Sequence, residues 1–178
     1  YNLLHLNALN DLESQLYLDA VIQNGREEHE SRALVELVDR SELTEPVILI
    51  ADRGYEAYNN IAHIEQKGWN YLIRVKEKQG ILSGLNLPDT PEFDACFSYS
   101  LSKRLTNRIR KEPQKYRWLP NKVQFDYIRD ASDDLYPLSF RVVRFLVKED
   151  LYETVITNLP EASFPPSLLR MLYHKRWG

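Results

Sequence analysis

An aspartate follows one of the most apolar runs in this sequence. Asp52 comes directly after Val47-Ile48-Leu49-Ile50-Ala51 and is followed by Arg53-Gly54. Five apolar residues in a row, rich in β-branching, predict a central strand buried on both faces. Asp52 then lies at the strand's carboxyl end, where α/β sheets gather their ligands. The same position suits a carboxylate that caps the next helix, and position alone leaves both readings open. Tyr173 and Arg176 are three residues apart. On a helix they share a face and point a ring and a cation the same way, which also describes many ordinary surface contacts. A third group is basic. Residues 102 to 129 hold nine Lys or Arg against Glu112 and Asp126, net +7, interleaved with Tyr116, Trp118, Phe125 and Tyr127. Arg108, Arg110, Lys111, Lys115, Arg117 and Lys122 suit a surface that neutralises phosphates, with Trp118 able to stack on an unpaired base. The plain alternative is the solvated face of a β-hairpin. Residues 1 to 56 have the opposite balance, four Arg against twelve Asp or Glu, net -8.

These residues must be positioned by a fold, and 178 residues with 43% hydrophobic and 28% charged side chains suffice for one domain with its own core. No run approaches the ~18 apolar residues of a membrane span, and Tyr1-Asn2-Leu3-Leu4-His5 lacks the pattern of a signal peptide, so no membrane partner is expected. A single cysteine, Cys96, rules out an internal disulfide and fits the cytoplasm. The chain begins without methionine and stops inside a helical pattern, which reads as a piece of something longer.

Alternation in Leu4 to Leu9 and the run Leu16 to Ile22 predict an antiparallel hairpin. From Glu27 the period becomes helical, with Ala33, Leu34, Leu37 and Val38 inward and Glu27, Glu28 and Glu30 in the first turn. A second helix carries Ile61, Ala62 and Ile64 and ends at Gly68, and Tyr71 to Val75 is the next strand. Residues 1–78 thus read β-β-α-β-α-β. Residues 79–150, punctuated by five prolines, read as a β-rich insertion with strands at Phe97 to Leu101, Val123 to Arg129 and Phe140 to Val147 and no helix between them. Residues 151–178 return to a strand, Tyr152 to Thr157, then a helix from Pro165-Pro166 with Leu168, Leu169, Met171 and Leu172 as its apolar face.

Three blocks occur in order across the insertion: Leu49-Ile50-Ala51-Asp52-Arg53-Gly54-Tyr55, Thr157-Asn158-Leu159-Pro160 and Tyr173-His174-Lys175-Arg176-Trp177-Gly178. In this combination the chain resembles DDE transposases of bacterial insertion sequences, in the branch with a Tyr-x2-Arg-x3-Glu-x6-Lys signature. The resemblance implies an α/β fold, a ribonuclease H-like core interrupted by a β-rich insertion. It implies that Asp52 is the second catalytic acid and a metal ligand, that Tyr173 and Arg176 open the C-terminal signature, and that two Mg2+ ions serve the intact enzyme. The implied partners are double-stranded DNA, as element ends and target, and a second copy in a synaptic homodimer. The first Asp of the pattern falls before Tyr1 and its Glu two residues after Gly178, so the 178-residue chain is expected to be inactive by itself. Signature offsets of 0, 3, 7 and 14 residues fall at roughly 0°, 300°, 340° and 320° around a helix, one stripe about 60° wide. Asp11 and Asp19 are minor candidates for a substitute acid, and His5, His29, His63 and His174 have no metal-ligand spacing. The competing readings are a DNA-binding remnant without catalysis and another ribonuclease H-like nuclease.

Overall fold

The computed structural model describes residues 3–26, 29–77 and 79–177. Tyr1, Asn2, Glu27, Glu28, Lys78 and Gly178 lie outside the described residues. The described residues form two sheets. Strands β1 (Leu4–Asn10) and β2 (Tyr17–Asn24) make the expected antiparallel hairpin, which stands as a separate two-stranded sheet. The other six strands are β3 (Ile48–Ala51), β4 (Asn70–Arg74), β5 (Phe93–Ser102), β6 (Tyr116–Trp118), β7 (Leu135–Lys148) and β8 (Leu151–Thr157). They are ordered β3-β4-β8-β7-β5-β6 in a mixed sheet, with β3 and β4 parallel and β8 antiparallel to both β4 and β7.

Helices cover the two faces of that sheet. Helix α1 (Glu30–Arg40) buries Ala33, Leu34, Leu37 and Val38 as its period predicts; Ala33 and Leu37 pack on Val21 of the hairpin, while Leu34 and Val38 join Leu49 and Ala51. Helix α2 (Tyr58–Gln66) buries Ile61, Ala62 and Ile64 on the same side and is followed by Gly68 at φ 77°, the left-handed conformation that ends a helix cheaply. Helix α4 (Pro166–Trp177) covers the opposite face over Leu72, Val143, Phe145 and Val155. Each fully buried Leu or Ile here contributes about 1.5–3 kcal/mol.

Several expectations are corrected. Strand β3 is the edge of the six-stranded sheet among the described residues, pairing only with β4, and Ile48 and Ile50 are half-buried. Residues 123–129 form no strand: Phe125 and Ile128 point into the core from turns, a spacing of three that alternation cannot satisfy. A short helix, α3 (Asn107–Lys111), capped by Thr106 at the Ile109 N–H, lies in the basic stretch, where no helix was expected. Met171 is 52% exposed, and the buried residues of α4 are Leu169 and Tyr173. Within region 79–150, β5 and β7 pair over ten residues and contribute Leu101, Leu138 and Phe140 to the main core.

One core-facing acid gives a pH-dependent expectation. Burial pushes the Glu65 carboxyl up to about 7 against the pull of the Tyr71 hydroxyl, 3.4 Å away. The folded state thus holds the proton more tightly than the unfolded one. Stability is fully present below the unfolded value near 4.5 and falls as pH rises through about 7. The variant Glu65→Gln is therefore expected to be more stable than the unaltered chain at pH 8, by about 1 kcal/mol after solvent screening, with the advantage gone by pH 4. Urea midpoints at the two pH values measure it, and equal gains at both would show that charge is not the cause.

Candidate active site

Strand parity builds the site. Residues two apart on a strand share a face, so the side that carries Ile48 and Ile50 beneath α4 also carries Asp52, one step past the end of β3. On β4 the same side carries Leu72 and Arg74, and on β8 it carries Val155 and Glu153. Because β3 and β4 run parallel with Ala51 opposite Ile73, Asp52 and Arg74 emerge side by side at their carboxyl ends. Helix α4 closes the group from above with Tyr173 and Trp177.

The carboxylates and guanidiniums interlock. Asp52 Oδ1 accepts the Arg53 backbone N–H at 2.6 Å, so the capping role is present in a short turn, Arg53–Tyr55. The same oxygen lies 3.6 Å from Arg74 Nη1. Oδ2 accepts no hydrogen bond among the described residues, and the Asp52 side chain is 46% exposed. Glu153 is buried and takes one guanidinium on each oxygen, Arg53 Nη2 at 2.6 Å and Arg74 Nη2 at 2.5 Å. The Arg74 guanidinium is stacked over the rings of Tyr173 and Trp177, 5.8 and 5.2 Å from their centroids. Burial raises the pKa of the Tyr173 hydroxyl, reinforced by Glu153, which keeps it protonated. Arg176 is exposed where Tyr173 is buried; it lies 5.5 Å over the Trp177 ring and lines, with Leu172 and Lys175, a cleft of about 950 Å3 between β3 and the hairpin. Lys175 pairs there with Glu13 of the hairpin turn.

Sequence reasoning missed Arg74, Glu153 and Glu56. Parity was the available signal for the first two, since each alternates with a residue of the core face. Glu56 shapes the turn beyond β4 by accepting the N–H groups of Lys76 (3.0 Å) and Ile81 (2.7 Å). A Cβ at Gly80, whose φ is 54°, would collide with that carboxylate, so only glycine fits both the conformation and the close approach.

The minor candidates are occupied elsewhere. Asp11 spends both oxygens on its own turn, at the Glu13 and Ser14 N–H groups and the Ser14 hydroxyl, and Asp19 holds Arg40 through both oxygens at 2.7 Å. His63 bridges Asp39 (2.8 Å) and Asp126 (3.0 Å), a structural tie between α1, α2 and the region after β6. Among the described residues no three His, Cys, Asp or Glu side chains are grouped to hold a metal ion. Asp52, with one free hard oxygen, fits the part of a single ligand and does not complete a centre by itself.

On the basic stretch, Arg110, Lys111 and Lys122 are exposed, and so is Lys115, which pairs with Glu112 at 2.6 Å. Arg108 lies 5.0 Å over Tyr116 and Arg117 5.3 Å over Tyr99, so these two are packed as well as charged. Trp118 is 40% exposed, whereas Tyr116 and Phe125 belong to the interior.

A transposase DDE domain profile matches residues 1–178. The chain belongs to the transposase DDE domain family. A search of curated proteins found no significant match. Membership in the family makes this a transposase domain, a protein of DNA transposition and recombination whose substrate is DNA. The mixed α/β architecture, with parallel β3 and β4 flanked by antiparallel strands and helices on both faces, agrees with the ribonuclease H-like fold that the resemblance implies.

Proposed function

We propose that this transposase domain carries part of the catalytic centre for metal-dependent cleavage and strand transfer at insertion-sequence ends, and that residues 1–178 alone are inactive. The observation behind the reading is the convergence of Asp52, Arg53, Arg74, Glu153 and Tyr173 at the carboxyl ends of β3 and β4 beneath α4. In-line displacement at phosphorus needs hard oxygen ligands and donors for the phosphate oxygens, and this group offers both. Asp52 supplies one carboxylate of the metal centre, and two further acids are read as lying outside residues 1–178. Two Mg2+ ions held by all three would activate the attacking oxygen and stabilise the leaving one. The exposed edge of Arg53 holds non-bridging oxygens in planar, forked geometry, the enclosed Arg74 adds its positive charge, and the Tyr173 hydroxyl is a neutral donor beside them. Water is the first nucleophile and the freed 3′-hydroxyl the second. Element ends and target DNA are the substrates, a homodimer the synaptic form, and the bacterial cytoplasm the place. The test is whether DNA nicking depends on Asp52.

The second reading, a DNA-binding protein without catalysis, is favoured by the lack of a three-acid cluster among the described residues. Absence of nicking by a longer chain would select it.

Either reading uses the basic surface. Arg110, Lys111 and Lys122 are exposed around α3 and the turn beyond β6. Replacing all three by glutamate is expected to weaken binding of duplex DNA and to flatten its salt dependence by about two to three units of log-log slope, one for each phosphate no longer neutralised. A slope equal to that of the unaltered chain would return this face to ordinary solvation.

A further inference from the structure

Glu153 stands where its strand gives no reason for an acid. It alternates with Val155 on the apolar side of β8 and is 6% exposed. A carboxylate buried that deeply persists only when paired, and its partners are unusual in being two guanidiniums from two other segments. Both belong to the candidate active site: Arg53 follows Asp52 in the chain, and Arg74 is the cation nearest to Asp52, at 3.6 Å. That separation exceeds a hydrogen bond. Arg74 is held short of Asp52 because its Nη2 is engaged by Glu153 and its plane rests on Tyr173 and Trp177. Without the Glu153 charge, the nearest acid to Arg74 is Asp52, and Coulomb attraction closes Arg74 onto it. A carboxylate gripped by arginine is a poorer ligand for a cation.

We propose that Glu153 is a positioning residue, which holds Arg74 off Asp52 and anchors one end of Arg53, so that the carboxylate and the exposed edge of Arg53 stay open to the phosphodiester. The proposal rests on the functional reading above and adds to it a residue that touches neither DNA nor metal.

The test uses Glu153→Gln in a chain extended at both ends, with DNA affinity and single-turnover nicking measured separately. Removing a buried negative charge adds one net positive charge, so DNA is expected to bind about threefold tighter at low salt. Nicking at saturating DNA is expected to fall about tenfold or more, because misplacing the groups that orient the phosphate acts on the chemical step. Glu153→Asp, which keeps the charge on a shorter arm, is expected to recover part of the rate. A merely structural role predicts that affinity and rate fall together, and that result, or an unchanged rate, overturns the proposal. If Glu153→Gln does not fold, Arg74→Gln decides instead. It leaves Glu153 paired with Arg53 and relieves Asp52 of its nearest cation, so Mn2+ binding read by electron paramagnetic resonance is expected to tighten several-fold; unchanged or weaker binding overturns the proposal. Asp52→Ala separates the two levels. If that variant nicks DNA normally, the functional reading has failed, whereas a dead Asp52→Ala beside a normal Glu153→Gln removes only the role of Glu153.

Discussion

Asp52→Ala is expected to abolish nicking of terminal-repeat DNA by a chain that extends past both ends of residues 1–178. The 178-residue chain is expected to show no nicking with either Mg2+ or Mn2+. Two divalent ions close together repel strongly, and several carboxylates must offset that repulsion. Among the described residues Asp52 has no such company; its immediate neighbours are Arg53 and Arg74, which add positive charge. Outer partners of metal ligands already change activity 10- to 100-fold when removed, so loss of a direct ligand is expected to cost at least about a hundredfold. Asp52→Asn is the sharper variant, since an amide oxygen can still accept the Arg53 N–H and preserve the turn while the charge is lost. Robust cleavage by residues 1–178 alone, removed by changing Asp11 or Asp19, would place the active site around other carboxylates.

The largest expected loss of stability lies away from that site, at Arg141. Its side chain is 6% exposed and pairs with Asp94 through two nitrogens. Its Nη1 donates to the carbonyls of Leu159 (2.7 Å) and Phe164 (3.1 Å). One guanidinium therefore joins β7, β5 and the segment between β8 and α4, the helix that closes the active site. Arg141→Leu leaves Asp94 half-enclosed without a counter-charge and two carbonyls without donors. The expected cost is about 3–5 kcal/mol, the scale for breaking a buried ion pair by removing one partner. Asp94→Leu combined with Arg141→Leu is expected to be less damaging than Arg141→Leu alone, because no isolated buried charge remains. Urea denaturation of the three variants measures both figures. A loss below about 1 kcal/mol for Arg141→Leu would mean that water reaches Asp94 and satisfies it.

The fold was legible wherever a period ran long enough to be read. The hairpin, α1, α2, β4 and β8 fall within a few residues of their expected places because alternation or a 3.6-residue repeat runs through each. The place of Asp52 just past a strand was legible because an apolar run ends abruptly in a carboxylate. Other features resisted for physical reasons. The apolar run that feeds Asp52 reads as a doubly covered central strand, yet β3 is an edge whose outer side opens on the cleft. Residues 123–129 hold strand-forming side chains, but the interior is reached there from turns, and no local pattern records that. Arg74 and Glu153 look like ordinary strand residues until parity is counted on both strands and the partners are found 79 positions apart. Helical spacing put Tyr173 and Arg176 on one stripe, and the offset of about 60° within it is enough to bury one and expose the other.

The cleft between the two sheets has a consequence for association. Among the described residues β1 ladders only with β2, and β3 only with β4, so each lies at the edge of its sheet. Both open edges border the cleft, through Ala8, Leu9 and Asn10 on one wall and Ile48 to Ala51 on the other. An open edge is a template that any extended segment can join by main-chain hydrogen bonds, whatever its side chains. Between identical molecules, selectivity then falls to charge. Asp11, Glu13 and Glu45 stand around this mouth with Lys175 and Arg176, and Lys175 already pairs with Glu13, so the net acidity left there to keep two copies apart is slight.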